Sequence, residues 1–325
     1  MAHGRTARGE NSLSFEWTET STALKFRIGE LSVVSVPFRC LALRAHFTEL
    51  GTDPMQPRPP FERFASGIEV AMMRSHPIGE PLPLLSRLPD AIRYVPAQYP
   101  RYYTDLQQPF DAYLKGFSAK SRSTLLRKVR KFAAASGGAI DWREFKDADE
   151  MPEFHRQARE VSRKTYQERL LDEGLPESAQ FLQGACEAAA SGKARGYILY
   201  LHGKPIAYIF CPIAEGTLFY EYVGYDPDAQ HLSPGTVLQY VVLERLMSQG
   251  GCRMFDFTEG ESQHKQLFAT HQVLCANIFY FRPTLRNRLL LRLHAFTDSL
   301  SGRAAAMLER LGLKARVKKL LRAAA

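Results

Sequence analysis

Among the side chains between Thr217 and Phe268 that can move protons or carry charge, Glu221, Tyr222, Asp256 and Lys265 stand out by their context. Glu221 sits inside the aromatic run FYEYV. Desolvation there would raise the pKa of its carboxyl and make it a usable general base; on a wet strand edge it would be an ordinary surface residue. Tyr222 or Tyr225 could donate a proton, or could pack in a core with the hydroxyl at the rim. Asp256 lies in the apolar run MFDF, and a buried aspartate must be paired, so it either orients a catalytic group or ties down a loop. Further along come Glu259, Glu261, His264 and Lys265. Ser233-Pro234-Gly235-Thr236 reads as a helix start, with Ser as N-cap and Pro in the first turn. Such a start offers free backbone N–H groups and a positive dipole end that suit a phosphate or pyrophosphate. It is also what any capped helix looks like.

The elements that must position these groups follow from pattern. Leu218 to Tyr225 predicts one strand, followed by a polar loop from Asp226 to Leu232. Val237, Leu238, Val241, Val242 and Leu246 recur at helical spacing, and Gly250-Gly251 ends that helix. Met254 to Phe257 predicts a short strand, and Glu261 to Phe268 a short helix. Upstream, Ala139 to Phe145 is expected as a strand, with Ala148 to Leu171 and Ser178 to Ala190 as helices. A strand meander from Gly196 to Tyr225 turns at His202-Gly203-Lys204 and Glu215-Gly216. Val273 to Phe281 adds a last strand. The whole is an α/β unit of order β-α-α-β-β-β-α-β-α-β.

Ahead of it, residues 1–20 are polar and expected to be frayed. Ala23 to Phe47 predicts two or three strands, Gly67 to Met73 another, Pro77 to Leu88 a loop or short helix, and Ile92 to Leu106 strands broken at Pro96 and Pro100. No catalytic constellation is legible there. From Ala112 through Ile140 there is no acidic residue, while Lys115, Lys120, Arg122, Arg127, Lys128, Arg130 and Lys131 accumulate. That segment is either a helix with a solvated charged face or a clamp for an anionic substrate.

At 325 residues the chain is long enough for two domains. Its formal charge of +9 is uneven: Arg282 to Ala325 carries 11 Lys and Arg against 2 Asp and Glu, so the preceding residues sum to zero. The basicity therefore concerns the tail. Thr284 to Phe296 and Ala304 to Arg322 each combine an apolar stripe with flanking cations, a design that suits an anionic membrane surface or, with the stripe turned inward, the protein's own core. Five scattered cysteines without a CxxC pair suggest free thiols in a reducing compartment. His155, His231 and His264 lack metal-ligand spacing, so no metal is expected. The N-terminus has no apolar signal region and no stretch approaches bilayer-spanning length. The expectation is a cytoplasmic protein whose tail either docks on the core or makes peripheral contact with a membrane.

Three stretches, SAKSRSTLLRKVRKF at Ser118–Phe132, SPGTVL at Ser233–Leu238 and FDFTEGESQHKQLF at Phe255–Phe268, together with the element order over Gly137 to Phe281, resemble the GNAT acyltransferase superfamily. The nearer resemblance is to cellulose-biosynthesis-associated (CelD/BcsL-type) acetyltransferases, and more remotely to Fem-type peptidoglycan ligases. Two features depart from those families: the glycine-rich pyrophosphate loop is reduced to HLSPGT, and the Tyr they place before the last motif Lys is His264. The resemblance implies an α/β (α+β) GNAT fold with two GNAT-like halves. It divides the chain into a degenerate half (1–109), a basic connector (110–136), an active domain (137–283) and a helical tail (284–325). It implies acyl transfer, acetyl above all, from acyl-CoA to a small amine or sugar acceptor in polysaccharide or cell-envelope synthesis. Phosphates would be held at Ser233, Pro234, Gly235 and Thr236, and an oxyanion at a backbone N–H around Val223. Glu221, Tyr222, Asp256 and Lys265 would be catalytic, and Arg127, Arg130, Glu261 and His264 would meet substrate. The alternatives are a Fem-type ligase using aminoacyl-tRNA and a non-catalytic adaptor at a membrane surface.

Overall fold

The computed structural model describes residues 15–28, 31–165 and 174–310, with backbone alone at 27–28, 31–32 and 301–310. The fold is mixed α/β. The chain forms two compact units, residues 1–99 with 274–325, and residues 100–273. The segment expected as a basic connector lies within the second unit, and the described part of the expected tail, 284–310, groups with the first.

In the first unit, β1 (Glu16–Ile28) and β2 (Leu31–Arg44) form a long antiparallel hairpin, and β2 runs parallel to β3 (Val70–Pro77). Glu16 to Thr20, expected to be frayed, are paired with Cys40 to Arg44: polar strand residues suffice when the partner strand supplies the core face. β4 (Leu85–Arg87) is a strand where a loop or helix was expected. β5 (Ile92–Asp105) is continuous, not broken at its prolines. Its pairings with β4 at Ile92–Tyr94 and with β11 (Met254–Asp256) at Tyr103–Asp105 lie on either side of Pro96 and Pro100, so neither proline is asked for a ladder N–H there. β12 (His271–Phe281) returns the chain to this unit and pairs with β3. The 26-residue α7 (Leu285–Arg310) closes it.

The second unit opens with the end of β5, then α1 (Phe110–Lys115), α2 (Ala119–Ala135), β6 (Trp142–Phe145), α3 (Met151–Ser162), α4 (Ala179–Ala190), β7 (Ala194–Leu201) and β8 (Lys204–Ala214). Part of the expected helix over 148–171 lies outside the described residues. The strand expected from Leu218 to Tyr225 is split into β9 (Thr217–Phe219) and β10 (Tyr222–Tyr225). Then follow α5 (Pro234–Gln249), β11 and α6 (Gln263–Phe268). The hairpin turns hold His202-Gly203 and Glu215-Gly216, all at positive φ, as two-residue connections require.

Strands β7 and β8 alternate faces. Tyr197, Leu199, Ile209 and Cys211 pack with Leu125 and Phe132 of α2 and Val237, Leu238, Val241 and Val242 of α5. Ile198, Tyr208 and Phe210 pack with Phe154 and Ala158 of α3 and Ala185 of α4. Each buried Leu, Ile, Val or Phe among these contributes about 1.5–3 kcal/mol, which fixes the two helical layers on the sheet. α5 ends where predicted, at Gly250-Gly251, both at positive φ.

Candidate active site

The second unit's sheet opens at one place. β9 is held on one side by β8 and on the other by parallel β11, through Met254↔Thr217, Phe255↔Leu218 and Asp256↔Phe219. The last link is Tyr220 N–H donating to the Asp256 carbonyl at 2.9 Å. Beyond Tyr220 and Glu221, β10 pairs with β8 alone. This divergence is why FYEYV is not one strand: its second half has lost one neighbour. Asp226 N–H donates to Ile206 O at 2.8 Å, which fixes the alternation along β10. Gly224 and Tyr222 face β8 with their backbone groups, and Val223 and Tyr225 turn theirs toward the opening. Gly224 is required by close approach, since a Cβ there would lie 2.6 Å from the Tyr208 ring and 2.8 Å from Thr165.

Glu221 stands at the break. Its side chain reaches the surface, yet exclusion of water by its neighbours raises its carboxyl above the usual range. It makes no side-chain hydrogen bond among the described residues. Tyr222 goes the other way, into an aromatic cluster with Phe181 at 5.5 Å and Phe210 at 6.3 Å on the α3–α4 face. Tyr220, which nothing in its sequence context singles out, takes the α5 face instead, edge-on to Phe257 at 5.5 Å and stacked on His264 at 6.0 Å. Its hydroxyl lies 3.3 Å from His264 Nε2. Burial drives the Tyr220 phenol well above its ordinary pKa, so it holds its proton.

On the opposite arm, Asp256 is fully buried and receives a forked contact from Arg101, with Nε at 3.1 and 3.2 Å from the two carboxylate oxygens and Nη2 on Oδ2. Oδ1 also accepts from Thr258 N–H at 2.8 Å, in a turn where Thr258 has φ 60°. Of the two readings open in the sequence, Asp256 ties down this turn. α6 follows, capped by Ser262, whose Oγ accepts from Lys265 N–H at 3.2 Å. Its C-terminal carbonyl, Phe268 O, accepts from Thr104 Oγ1 at 2.8 Å and Tyr113 Oη at 2.7 Å. Lys265 is half-buried, with Nζ donating to Glu259 O at 2.5 Å; burial lowers its pKa, and Asp256 nearby opposes that. Glu261 is exposed and accepts from Gln266 at 2.7 Å.

The helix start differs from expectation. Ser233 has φ 56°, and its hydroxyl caps nothing; the short 3-10 turn over Pro227–Leu232 delivers it in the left-handed region, with its side chain turned from the helix. Ser233 O takes the N–H groups of Thr236 and Val237 at 3.0 and 3.1 Å, and Pro234 has none to give. Gly235 N–H is the donor left at this end. A Cβ on Gly235 would touch only Tyr225, at 3.7 Å, so the approach is open. Of the α2 cations, Lys131 Nζ donates to His231 O at 3.0 Å and Lys128 acts on His264. Arg127 and Arg130 lie on the exposed side of the helix.

Burial, with Lys128 and Lys265 nearby, holds the His264 imidazole down to about 4. Folding therefore favours its neutral form. That contribution is complete above the ordinary value of 6.5 and is lost as pH falls from there toward 4. We expect acidification over this window to cost up to about 3 kcal/mol of stability through this one group. His264→Phe keeps a ring in place without a proton site, so its urea midpoint should fall less than the parent's between neutral and mildly acidic buffer. Equal slopes in the two proteins would remove the imidazole from the explanation.

Residues 119–266 match the family model of the acetyltransferase (GNAT) domain. No curated protein matches the chain. Among solved structures, the chain is similar to the C-terminal domain of a candidate lysylphosphatidylglycerol synthetase from Agrobacterium fabrum, at 12% identity over 79% of this chain and 81% of that one, TM-score 0.51. FemX aligns at 11% identity over 85% and 90% of the two chains, TM-score 0.49. A GCN5-related N-acetyltransferase from Kribbella flavida aligns at 12% over 76% and 82%, TM-score 0.36. At such identities the likeness concerns fold alone. Residues 119–266, a little under half of the chain, are thus similar to a GNAT acetyltransferase domain.

Proposed function

We propose that the protein moves an acyl group, acetyl or another, from acyl-CoA to an amine or sugar hydroxyl at the opening between β10 and β11. The observation that carries this reading is Glu221, a carboxylate without a hydrogen-bond partner among the described residues, raised by burial, at the break in the strand. The thioester supplies an electrophilic carbonyl and a thiolate leaving group. Glu221 takes the acceptor's proton as the new bond to the acyl carbon forms. Val223 N–H, turned away from β8, donates to the carbonyl oxygen as charge builds there. The departing thiolate needs a proton, and the one taken up by Glu221 balances it once returned through solvent. Tyr220, whose hydroxyl lies 3.3 Å from His264 Nε2, is the tyrosine not committed to the Phe181–Phe210 cluster that holds Tyr222.

Gly235 N–H with Thr236 would hold donor phosphate. Lys265 and His264 would border the acceptor, with Arg127, Arg130 and Glu261 at the rim. The motif likeness to CelD/BcsL-type enzymes favours an acceptor from exopolysaccharide or cell-envelope synthesis.

Calorimetry with acetyl-CoA tests this. We expect saturable binding, and a loss of affinity of about tenfold or more for Gly235→Glu, which sets a carboxylate against the phosphates at an open position. No heat at millimolar acetyl-CoA would overturn the acyl-CoA donor and favour an aminoacyl-tRNA, whose phosphates the exposed cations of α2 would track in a salt-sensitive way.

A further inference from the structure

α7 is pinned by one face and presents the opposite one to solvent. Asn287 and Leu291 are buried, Leu290 and Ala295 pack on the first unit's core, and His294 Nδ1 meets Tyr94 Oη at 2.6 Å. Leu285, Leu289, Leu293, Phe296 and Leu300 are between 51% and 80% exposed. At 100° per residue these five fall within an arc of about 80°, along about 22 Å of helix. The same projection puts Arg292 and Arg288 along one border of the stripe and Arg286 along the other. Arg286 is ion-paired with Glu69 at 3.1 Å, so the cations left to a partner are Arg288 and Arg292 on the other border. An exposed apolar strip edged in this way suits a surface that is both apolar and anionic.

We propose that this stripe seats the protein on an anionic lipid bilayer, with α7 lying in the plane of the interface. Leucine and phenylalanine enter the acyl boundary, and Arg288 and Arg292 meet lipid phosphates. The charge of the chain agrees with such a surface. Among the described residues of the helix, Arg288 and Arg292 stand beside the stripe, and the sequence from Arg282 to Ala325 carries all of the net +9. A second copy of the chain is a poorer occupant, because it would press two equally basic stripes together. The chain's own residues 311–325 are basic as well, with Lys314, Arg316, Lys318, Lys319 and Arg322, and would meet the same repulsion. No helix among the described residues is long and apolar enough to cross a membrane, so the contact is with a surface.

The test is co-sedimentation of the full chain with phosphatidylcholine vesicles, neutral or containing roughly one-third phosphatidylglycerol, at low and high salt. We expect partitioning onto the anionic vesicles to exceed that onto neutral ones by about tenfold at low salt, and to fall with added salt. Leu289→Ser, Leu293→Ser and Phe296→Ser together remove apolar surface that is already in water, so the triple variant should melt as the parent does and lose about tenfold or more of its binding. Arg292→Glu, a single exposed change, should lose several-fold on anionic vesicles and nothing on neutral ones. Equal binding to both vesicle types, or parent-like binding by the triple variant, overturns the proposal. So does a parent that elutes as a dimer and a triple variant that elutes as a monomer, since the stripe would then be covered by a second copy.

Discussion

Replacing Arg101 by alanine is expected to destabilise the second unit by about 3–5 kcal/mol, the usual consequence of removing one partner from a buried ion pair. Asp256 has no solvent exposure and the Arg101 side chain is 9% exposed, so water cannot stand in for the guanidinium. Lys265 is also near the carboxylate, but its amine is already held by Glu259 O. The damage should reach the site, because the same carboxylate anchors Thr258 N–H in a left-handed turn and that turn sets where α6 begins. Combining Arg101→Met with Asp256→Asn should recover part of the loss: Asn keeps an acceptor for Thr258, and neither residue brings a charge into the core. Urea unfolding of the two variants measures this. A cost below about 1 kcal/mol for Arg101→Ala would mean that the pair is not what holds the arm.

The Arg101–Asp256 pair also marks where reading the sequence stops. The run MFDF already says that Asp256 needs a partner, but the partner lies 155 residues away in a stretch that reads as featureless strand. Local features were legible because each is written within a few residues. Pro234 and Gly250-Gly251 bracket α5, and His202-Gly203 and Glu215-Gly216 mark their turns. The break inside FYEYV was not, since the residues are uniformly good strand formers and the split depends on β11 ending at Asp256 while β8 continues. One consequence is that Tyr220 and Tyr222, two apart and so expected on one face, point to opposite sides of the sheet. Ser233 shows the same limit on a smaller scale. Its type suits a cap, but the turn before it fixes a conformation in which the hydroxyl cannot serve. For α7 the period was plain from Leu285, Leu289 and Leu293. Which face is buried was decided by Asn287 and Leu291, which the apolar pattern alone does not favour over the leucine stripe.

The largest effect on chemistry is expected from Glu221→Gln, with turnover falling by about 10²- to 10⁴-fold, the range associated with loss of a positioned general base. Gln keeps the shape and loses the site that accepts a proton. Glu221 is not among the groups assigned to donor phosphate, so the affinity for acetyl-CoA should stay within a few-fold of the parent. A fall in kcat without a matching change in donor binding is the signature of a group that acts in the chemical step. Stability should move the other way. The Glu221 carboxyl titrates above its ordinary value because burial disfavours the charged form. Its contribution to folding is therefore favourable at acid pH and is lost as pH rises through the raised value. At neutral pH the charged carboxylate is a burden on the fold, and the glutamine variant should melt no lower than the parent. The pH profile supplies the last check. The parent's kcat/KM should rise with pH through a single group above the usual carboxylate range, and that limb should vanish in Glu221→Gln. If the variant turns over at the parental rate, or keeps the acid limb, the proton is taken by another group. Glu221 would then be a strand residue at a wet edge, as its sequence context also allowed.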